Sequence, residues 1–244
     1  MGSGASVPKP GPSNLALRWM SSLALAPLVV AITWYGGWLF VVLCTIAACI
    51  VLWEWSMLVR GSSPLGTPTV AWFVVWMVAG LAYASVILLA PVVLRGDAAF
   101  GFVAIIFLFA IVWSTDVFAY FVGRALGGPK LMPAVSPKKT WSGAAGGTLG
   151  AVVAGLIVVT VAGLQATLAV AAVALMLSIV SQLGDLLESA VKRRFNAKDA
   201  SQLLPGHGGL MDRLDGFLTA ALAAALLGLL RGGLEAPARG LLVW

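Results

Sequence analysis

The run ATLAVAAVALMLSIVSQLGDLLESAV, residues 166–191, decides the fold class of this chain. It is about as long and as apolar as an α-helix must be to cross a bilayer, and similar runs recur along all 244 residues. The sequence is 61% hydrophobic, against roughly 45–50% in an ordinary soluble domain. No run alternates with the period of two that a β-strand needs. The sequence therefore predicts an all-α, polytopic transmembrane helical bundle.

Charged residues, glycines and prolines divide the apolar sequence into candidate spans. Seven are predicted, at residues 15–33, 37–57, 69–94, 99–122, 143–163, 166–191 and 211–230. The third run contains Gly80 and Pro91 and could instead form two short helices, and the range considered is seven to nine spans. A single third span with a cytoplasmic N-terminus leaves only Arg95, Arg231 and Arg239 on the far side, which agrees with the cytoplasmic preference of Lys and Arg. We therefore predict seven spans.

Composition also bounds the domain organisation and the partners. Residues 1–14 are rich in Gly, Pro and Ser and are predicted to be disordered, whereas residues 15–244 form a single integral membrane domain. Cys44 and Cys49 lie in one apolar run and are expected to act as small hydrophobic residues. The net charge of +6 comes mainly from two loops without interleaved aromatic residues. This distribution argues against nucleic acid and favours lipid headgroups or phosphorylated substrates.

Acidic residues interrupt the apolar helices at a few positions. A carboxylate at membrane depth costs several kcal/mol unless it faces a polar cavity or a partner, so Asp116, Asp185 and Glu188 are candidate site residues. On a helix, Asp185 and Glu188 share one face with Ser189 and Lys192, and Asp212 and Asp215 are likewise three residues apart. If the two faces converge, they form a site for hard cations. The alternative is a set of interhelical ion pairs.

The longest polar stretch is KRRFNAKDASQLLPGHGGLMDRLDG, residues 192–216. It combines Lys and Arg, which bind phosphate, with Gly206, Gly208 and Gly209, which allow close backbone approach. It also contains the sole histidine, His207. A positive cytoplasmic loop would look similar, but carboxylates flank this one on both sides. We therefore predict a phosphate-binding loop.

An earlier loop, GRALGGPKLMPAVSPKKTWSG, residues 123–143, has the same character. Its three prolines prevent a continuous helix and predict a shaped loop. Lys130, Lys138 and Lys139 either contact phosphate or only enforce topology and attract anionic lipid.

The segment SAVKRRFNAKDASQLLPGHGGLMDRLDG, residues 189–216, resembles the signature of the phosphatidate cytidylyltransferase family, also called CDP-diacylglycerol synthases. GDLLES at 184–189, DVFAYFVGR at 116–124 and SPKKTWSG at 136–143 resemble further segments of that family. The resemblance implies transfer of a cytidylyl group from CTP to phosphatidate, which gives CDP-diacylglycerol and pyrophosphate for phospholipid biosynthesis. It also implies a multi-pass protein of the bacterial inner membrane, with its N-terminus and active site on the cytoplasmic side.

The same resemblance implies roles for individual residues. Those implied in catalysis are Asp116, Lys138, Lys139, Asp185, Glu188, Lys192, Lys198, Asp199, His207, Asp212, Arg213 and Asp215. Those implied in nucleotide binding are Ser136, Lys198, Gly206, His207, Gly208, Gly209 and Arg213. Magnesium would be held by Asp116, Asp185, Asp212 and Asp215, as two ions or as one with a monovalent cation. One position departs from the family pattern, because Ser142 stands where a Glu is usual.

Two other function classes fit parts of the sequence. A transporter that uses Asp116 and Asp185 as a proton or cation relay would explain the intramembrane acids but not the polar 192–216 loop. A lipid nucleotidyltransferase or lipid kinase with a different acceptor would explain both features. The oligomeric state stays open, with a homodimer among the expectations.

Overall fold

The computed structural model describes residues 14–61, 69–203 and 208–244. These residues form eight helices and one β-hairpin. The elements are α1 (Asn14–Tyr35), α2 (Gly37–Gly61), α3 (Val70–Arg95), α4 (Gly101–Leu126), β1 (Lys130–Met132), β2 (Ser136–Thr140), α5 (Trp141–Val161), α6 (Leu168–Arg194), α7 (Met211–Gly232) and α8 (Pro237–Leu242). The segment predicted to be disordered, residues 1–14, lies outside the described residues except for Asn14, which begins α1.

Six of the described helices, α2 to α7, are long and apolar enough to cross a membrane, and α1 extends over 22 residues. Their outward faces carry large apolar side chains such as Val153, Ile157 and Leu226, each more than half exposed. Such faces are stable in contact with lipid, because exposing so much apolar surface to water is unfavourable. The chain is therefore an integral membrane protein of the predicted all-α class, and its helix count agrees with about seven spans.

The third apolar run forms one helix. α3 continues from Val70 through Pro91 to Arg95, and the Thr69 hydroxyl caps it by accepting a hydrogen bond from the Trp72 amide at 3.2 Å. The alternative of two short helices is therefore wrong. Continuity through this segment places the ends of α3 on opposite sides of the bundle, as the seven-span prediction requires.

Glycines bring α4 and α5 into backbone contact. A Cβ on Gly147 would lie 2.6 Å from the carbonyl oxygen of Thr115, and one on Gly143 would lie 2.7 Å from that of Ala119. The two glycines are four residues apart and lie on one face of α5, which is the arrangement that allows close helix packing in membranes. This contact holds the start of α5 against the C-terminal half of α4, which carries Asp116.

The segment between α4 and α5 forms a β-hairpin. Its two strands pair antiparallel, with Lys130 opposite Thr140 and Met132 opposite Ser136. Gly127 ends α4 with a φ of +62°, a backbone conformation that favours glycine. The sequence predicted a shaped loop here but not the strand pairing, because two short strands rich in proline and lysine carry no clear alternation of apolar residues.

The bundle has two chemically different ends. The polar end comprises the C-terminal ends of α2, α4 and α6, the hairpin and the N-terminal end of α7. The opposite end comprises the α1–α2 and α3–α4 connections and α8; there Arg95 donates to the carbonyl oxygens of Thr33 at 2.7 Å and Trp34 at 2.9 Å. Both basic loops singled out in the sequence lie at the polar end.

Candidate active site

An ion pair joins the hairpin to α6. Lys139 Nζ, on β2, donates to Asp185 Oδ2, and the two side chains are about a quarter exposed. Ser189, one turn further along α6, donates its hydroxyl to Asp185 Oδ1 at 3.4 Å. The shared helical face predicted for Asp185 and Ser189 is confirmed by this contact. The ion pair brings the loop at 123–142 into contact with the acidic end of α6.

A second group of charges connects α6 to α7. Lys192 Nζ lies 2.5 Å from Asp212 Oδ1 and 2.7 Å from Glu188 Oε2, and the Glu188 side chain is fully buried. Glu188 and Lys192 form an ion pair without hydrogen-bond geometry, because opposite charges this close attract at any angle. Glu188 Oε1 has no hydrogen-bond partner among the described residues. For this group, the structure agrees with the alternative of interhelical ion pairs.

Asp212 also closes the loop that precedes α7. Its Oδ2 accepts hydrogen bonds from the backbone amides of Ala200 at 3.0 Å and Gly209 at 2.9 Å. Gly208 has a φ of +85°, and a Cβ on Gly209 would lie 3.1 Å from Asp212 Oδ2. The glycines are therefore needed for the backbone to approach this carboxylate. Both oxygens of Asp212 are occupied, since Oδ1 accepts from Lys192.

Glu54 on α2 holds the same region and was not among the predicted site residues. Its side chain is completely buried. Oε1 accepts hydrogen bonds from Ser201 Oγ at 2.6 Å and from the Leu210 amide at 2.9 Å, and Oε2 accepts from the Met211 amide at 2.7 Å. The signal that singled out Asp116, an acid within an apolar run, applies equally to Glu54.

A cavity of about 510 Å³ lies at the polar end, between α4, the hairpin, the start of α5 and Gln182 of α6. Its lining includes Asp116 together with the basic side chains of Arg124, Lys130, Lys138 and Lys139. Cavities of about 300–1,000 Å³ are typical of small-molecule sites. The hairpin lysines that the sequence associated with phosphate therefore face one cavity, with a single carboxylate among them.

Three carboxylates are close enough for their charges to interact: Asp116 on α4, Asp185 on α6 and Asp215 on α7. Asp215 Oδ1 also accepts a hydrogen bond from the Gly216 amide at 2.7 Å. Within residues 14–61, 69–203 and 208–244, no three His, Cys, Asp or Glu side chains come together closely enough to hold a metal ion. The predicted magnesium ligands are thus neighbours that do not form a preassembled cluster.

The remaining predicted site residues fall into two groups. Exposed or half-buried positions at the polar end are occupied by Ser136, Lys198, Asp199 and Arg213. Those outside the described residues are Gly206 and His207. Arg213, in the first turn of α7, is close enough to Asp116 for the two charges to interact. It therefore belongs to the same electrostatic environment as the cavity.

Ser142, the position that departs from the family pattern, stabilises the base of the hairpin. Its hydroxyl donates to the carbonyl oxygen of Gly127 and lies 3.1 Å from Thr140 Oγ1. Thr140 in turn accepts from the Gly143 amide at 3.1 Å and caps α5. A hydroxyl donor here connects the end of α4 to the start of α5, a contact that a carboxylate could not make because it only accepts hydrogen bonds.

Known proteins resemble this chain along most of its length. Residues 69–230 match the model of the cytidylyltransferase family. A phosphatidate cytidylyltransferase from Brucella abortus biovar 1 (strain 9-941) is 42% identical, over 88% of this chain and 94% of that protein. Another of that name, from Rickettsia bellii (strain RML369-C), is 34% identical over 86% and 88% of the two chains. A third, from Bacillus subtilis (strain 168), is 45% identical over 49% and 45%. Since the family match covers more than half of the sequence, this chain belongs to the cytidylyltransferase family.

Proposed function

We propose that this protein transfers a cytidylyl group from CTP to phosphatidate and thereby produces CDP-diacylglycerol and pyrophosphate for phospholipid biosynthesis. Relatives that bear the name phosphatidate cytidylyltransferase align with nearly the whole chain. In the structure, the observation that supports the proposal most strongly is the basic cavity at the polar end of a membrane bundle. A site that binds both a nucleoside triphosphate and a lipid phosphate needs basic side chains and a position at the membrane surface.

The reaction joins two anions. A phosphate oxygen of phosphatidate forms a bond to the α-phosphorus of CTP, while the bond to the β-phosphate breaks and its electron pair leaves with pyrophosphate. Phosphate monoesters have a second pKa of about 6, so the lipid phosphate is already largely a dianion at neutral pH. A strong general base is therefore not needed. What the protein must supply is orientation of the two substrates and neutralisation of their charge.

Basic side chains at the polar end fit that task. Arg124, Lys130 and Lys138 line the cavity, where they can contact the phosphates of CTP. Lys198 and Arg213 belong to the second basic segment, and we propose that they contact the departing pyrophosphate. Gly208 and Gly209, with Gly206 and Ser136, are proposed to contact the nucleotide, and His207 to contact nucleotide or loop backbone.

Lys192 has a different part in the proposal. Its amine already lies between Glu188 and Asp212, so it is poorly placed to bind substrate and is better suited to orient the two carboxylates. Asp199 directly follows Lys198 in the second basic segment, and we propose that it acts in the same part of the site. Lys139, paired with Asp185 and also lining the cavity, can contact a phosphate only by loosening that ion pair.

Magnesium is part of the proposal. Carboxylate oxygens are the ligands this ion prefers, and substrate-bound magnesium commonly uses one or two carboxylates and completes its shell with phosphate oxygens and water. Asp116 and Asp215 fit that pattern. Asp185 fits it once the partly exposed Lys139 exchanges its carboxylate for a phosphate, whereas Asp212 fits less well because backbone amides as well as Lys192 occupy its oxygens. When bound, magnesium would neutralise and orient the nucleotide phosphates. A second divalent or monovalent cation is a further expectation.

We also propose that the polar end and the N-terminus face the cytoplasm, in the bacterial inner membrane. The support is the distribution of basic residues, which concentrate at that end. CTP is made and used in the cytoplasm of bacteria, so this orientation gives the cavity access to its substrate. A homodimer and the absence of nucleic-acid binding stay predictions.

The direct test is an assay of the purified protein in detergent with radiolabelled CTP, phosphatidate and magnesium. We expect labelled CDP-diacylglycerol and an equal amount of pyrophosphate, and we expect both to disappear when a chelator removes magnesium. Two kinds of competing acceptor, diacylglycerol, which has a free hydroxyl and no phosphate, and lipid phosphates other than phosphatidate, separate the reaction from that of a kinase or a related nucleotidyltransferase. Turnover without a sealed membrane would exclude an obligate transporter, and absence of product with phosphatidate would contradict the proposed function.

A further inference from the structure

Glu54 connects two membrane helices that are far apart in the sequence. It lies in the last three turns of α2, and its three hydrogen-bond donors lie between residues 201 and 211. Burying a carboxylate is costly unless its oxygens accept hydrogen bonds. Among the described residues, all three donors belong to the segment from Ser201 to the first turn of α7, so this segment compensates the charge.

The helix that carries Glu54 is itself held in place. The next residue, Trp55, donates its indole N–H to the carbonyl oxygen of Trp76 on α3 at 2.8 Å. Its ring also packs beside Tyr83, with 5.4 Å between ring centroids. The packing of α2 against α3 therefore fixes Glu54, and its hydrogen bonds hold the start of α7 against α2.

The Leu210 and Met211 amides are at the start of α7, where backbone N–H groups have no partner within the helix. By accepting both, Glu54 sets the height and the rotation of the first turn of α7. That turn carries Asp212 and Arg213, and Asp215 follows on the next. Asp212 pairs with Lys192 of α6, and Arg213 and Asp215 are close enough to Asp116 for their charges to interact.

We propose that Glu54 is a positioning residue for the transfer reaction, and that it acts by fixing the first turn of α7 relative to the cavity. This inference rests on the proposed function. Glu54 is not part of the cavity lining, and it affects turnover through the loop segment at Ser201 and the first turn of α7. Misplacement by about 1 Å of groups that orient substrate can lower a rate by about a hundredfold.

The substitution Glu54→Gln tests this with little change in shape. An amide has one oxygen and one NH₂ group, so at least one of the three donors would face another donor instead of an acceptor. We expect kcat to fall by about tenfold to a hundredfold, with the KM for phosphatidate nearly unchanged, because the defect is in the arrangement of α7. Measurements are made well below the unfolding temperature of each variant.

Asp97 provides a matched control at the opposite end. It is 4% exposed and, like Glu54, accepts three hydrogen bonds; these come from the backbone amides of Ala99 and Phe100 at 3.0 Å each and of Arg239 at 2.9 Å. Asp97→Asn should therefore lower the thermal stability about as much as Glu54→Gln does. We expect its kcat to stay near that of the wild type, because no contact of Asp97 leads to the cavity.

A second readout does not depend on activity. Hydrogen exchange at the Leu210 and Met211 amides should become faster in Glu54→Gln and stay unchanged in Asp97→Asn. If Glu54→Gln fails to accumulate, Ser201→Ala removes one donor and keeps the carboxylate, and we expect it to lower kcat by a few-fold. Equal loss of stability in the two acid variants with wild-type kcat in both would overturn the positioning role. A wild-type protein without turnover on CTP and phosphatidate would count against the proposed function. The hydrogen-exchange measurement would still test whether Glu54 holds the start of α7.

Discussion

The two ends of the bundle use charged side chains in different ways. At the opposite end, charges bind backbone: Arg231 donates to the carbonyl oxygens of Gly240 at 2.5 Å and Val243 at 3.2 Å, and its guanidinium lies 3.4 Å from the Trp244 ring centroid. At the polar end, Glu54 and Asp212 also accept hydrogen bonds from backbone amides, but other charges there pair with charges, as Lys139 does with Asp185. Neighbouring basic side chains there line a cavity.

The difference separates fixed charges from exchangeable ones. A side chain that satisfies backbone groups cannot leave them without exposing unpaired donors or acceptors, which costs about 1–3 kcal/mol for each buried group. A partly exposed lysine paired with a carboxylate can exchange that partner for a phosphate, since the contact energy of such pairs is small. Substrate binding is therefore expected at the polar end, and structural closure at the opposite end.

The largest expected effect concerns the compartments of the two ends. In a background with Cys44 and Cys49 replaced by Ala, Ala134→Cys in the hairpin should react with a membrane-impermeant thiol reagent only from the cytoplasmic side. Glu235→Cys, between α7 and α8, should react only from the outside, because the two exposed positions lie at different ends of the bundle. Labelling of both from one side would show that the ends do not face different compartments.

The next effect is loss of turnover in Asp185→Asn. The change removes the charge that pairs with Lys139 and that we propose to hold magnesium, while the shape of the side chain stays nearly the same. We expect CDP-diacylglycerol formation to fall by about a thousandfold, the upper range for losing one preorganised electrostatic contact. Fractionation of membranes should show normal integration. Full activity at ordinary magnesium would contradict the assignment of Asp185.

A pair of arginines tests the comparison directly. Arg213→Lys keeps the charge but loses the planar guanidinium that can bind a phosphate bidentately, so we expect turnover to fall by about a hundredfold, or about 2.7 kcal/mol. Arg231→Lys, at the opposite end, should lower thermal stability with turnover near wild type. Steady-state kinetics of both variants test this prediction. Similar kcat values in the two would contradict the different roles of the two ends.

The smallest effect is expected at Ser142. This side chain lies at the polar end, but it binds a backbone carbonyl oxygen, as the side chains at the opposite end do. Ser142→Ala removes the hydroxyl that donates to the Gly127 carbonyl oxygen. We expect a loss of about 0.5–1.5 kcal/mol in the free energy of unfolding, the ordinary value of one hydrogen bond. Turnover should change little. A large fall in kcat without loss of stability would instead indicate that Ser142 contacts substrate.

Much of the site could be predicted because each acid is recognisable alone. Asp116 and Asp185 stand out within apolar runs, and the spacing of Asp185 and Ser189 predicts a shared helical face that the structure confirms. Glu54 carries the same signal, but the short segment that follows it, residues 60–68, contains a single charged residue, Arg60. Glu54 was therefore missed, although it stabilises the start of α7.

The contacts between elements could not be predicted in this way. Lys139 and Asp185 are 46 residues apart, and Ser201 and Glu54 are 147 apart. Whether such residues meet depends on the rotation and the height of each helix, which are set by packing contacts such as that of Gly147 with α4. A periodic pattern gives the face of a helix but not the neighbour that the face meets.

The sequence by itself determined the membrane class, the approximate number of long helices and the family. Each of these depends on apolar length or on a contiguous motif, and both are local properties of the chain. Only the tertiary structure decided that Lys192 lies between Glu188 and Asp212, that Asp212 closes its loop, and that the hairpin lysines line a cavity. The physical reason is that burial of a charge is tolerated only with a partner, and the choice of partner is made by the packing of helices that the sequence brings together from distant positions.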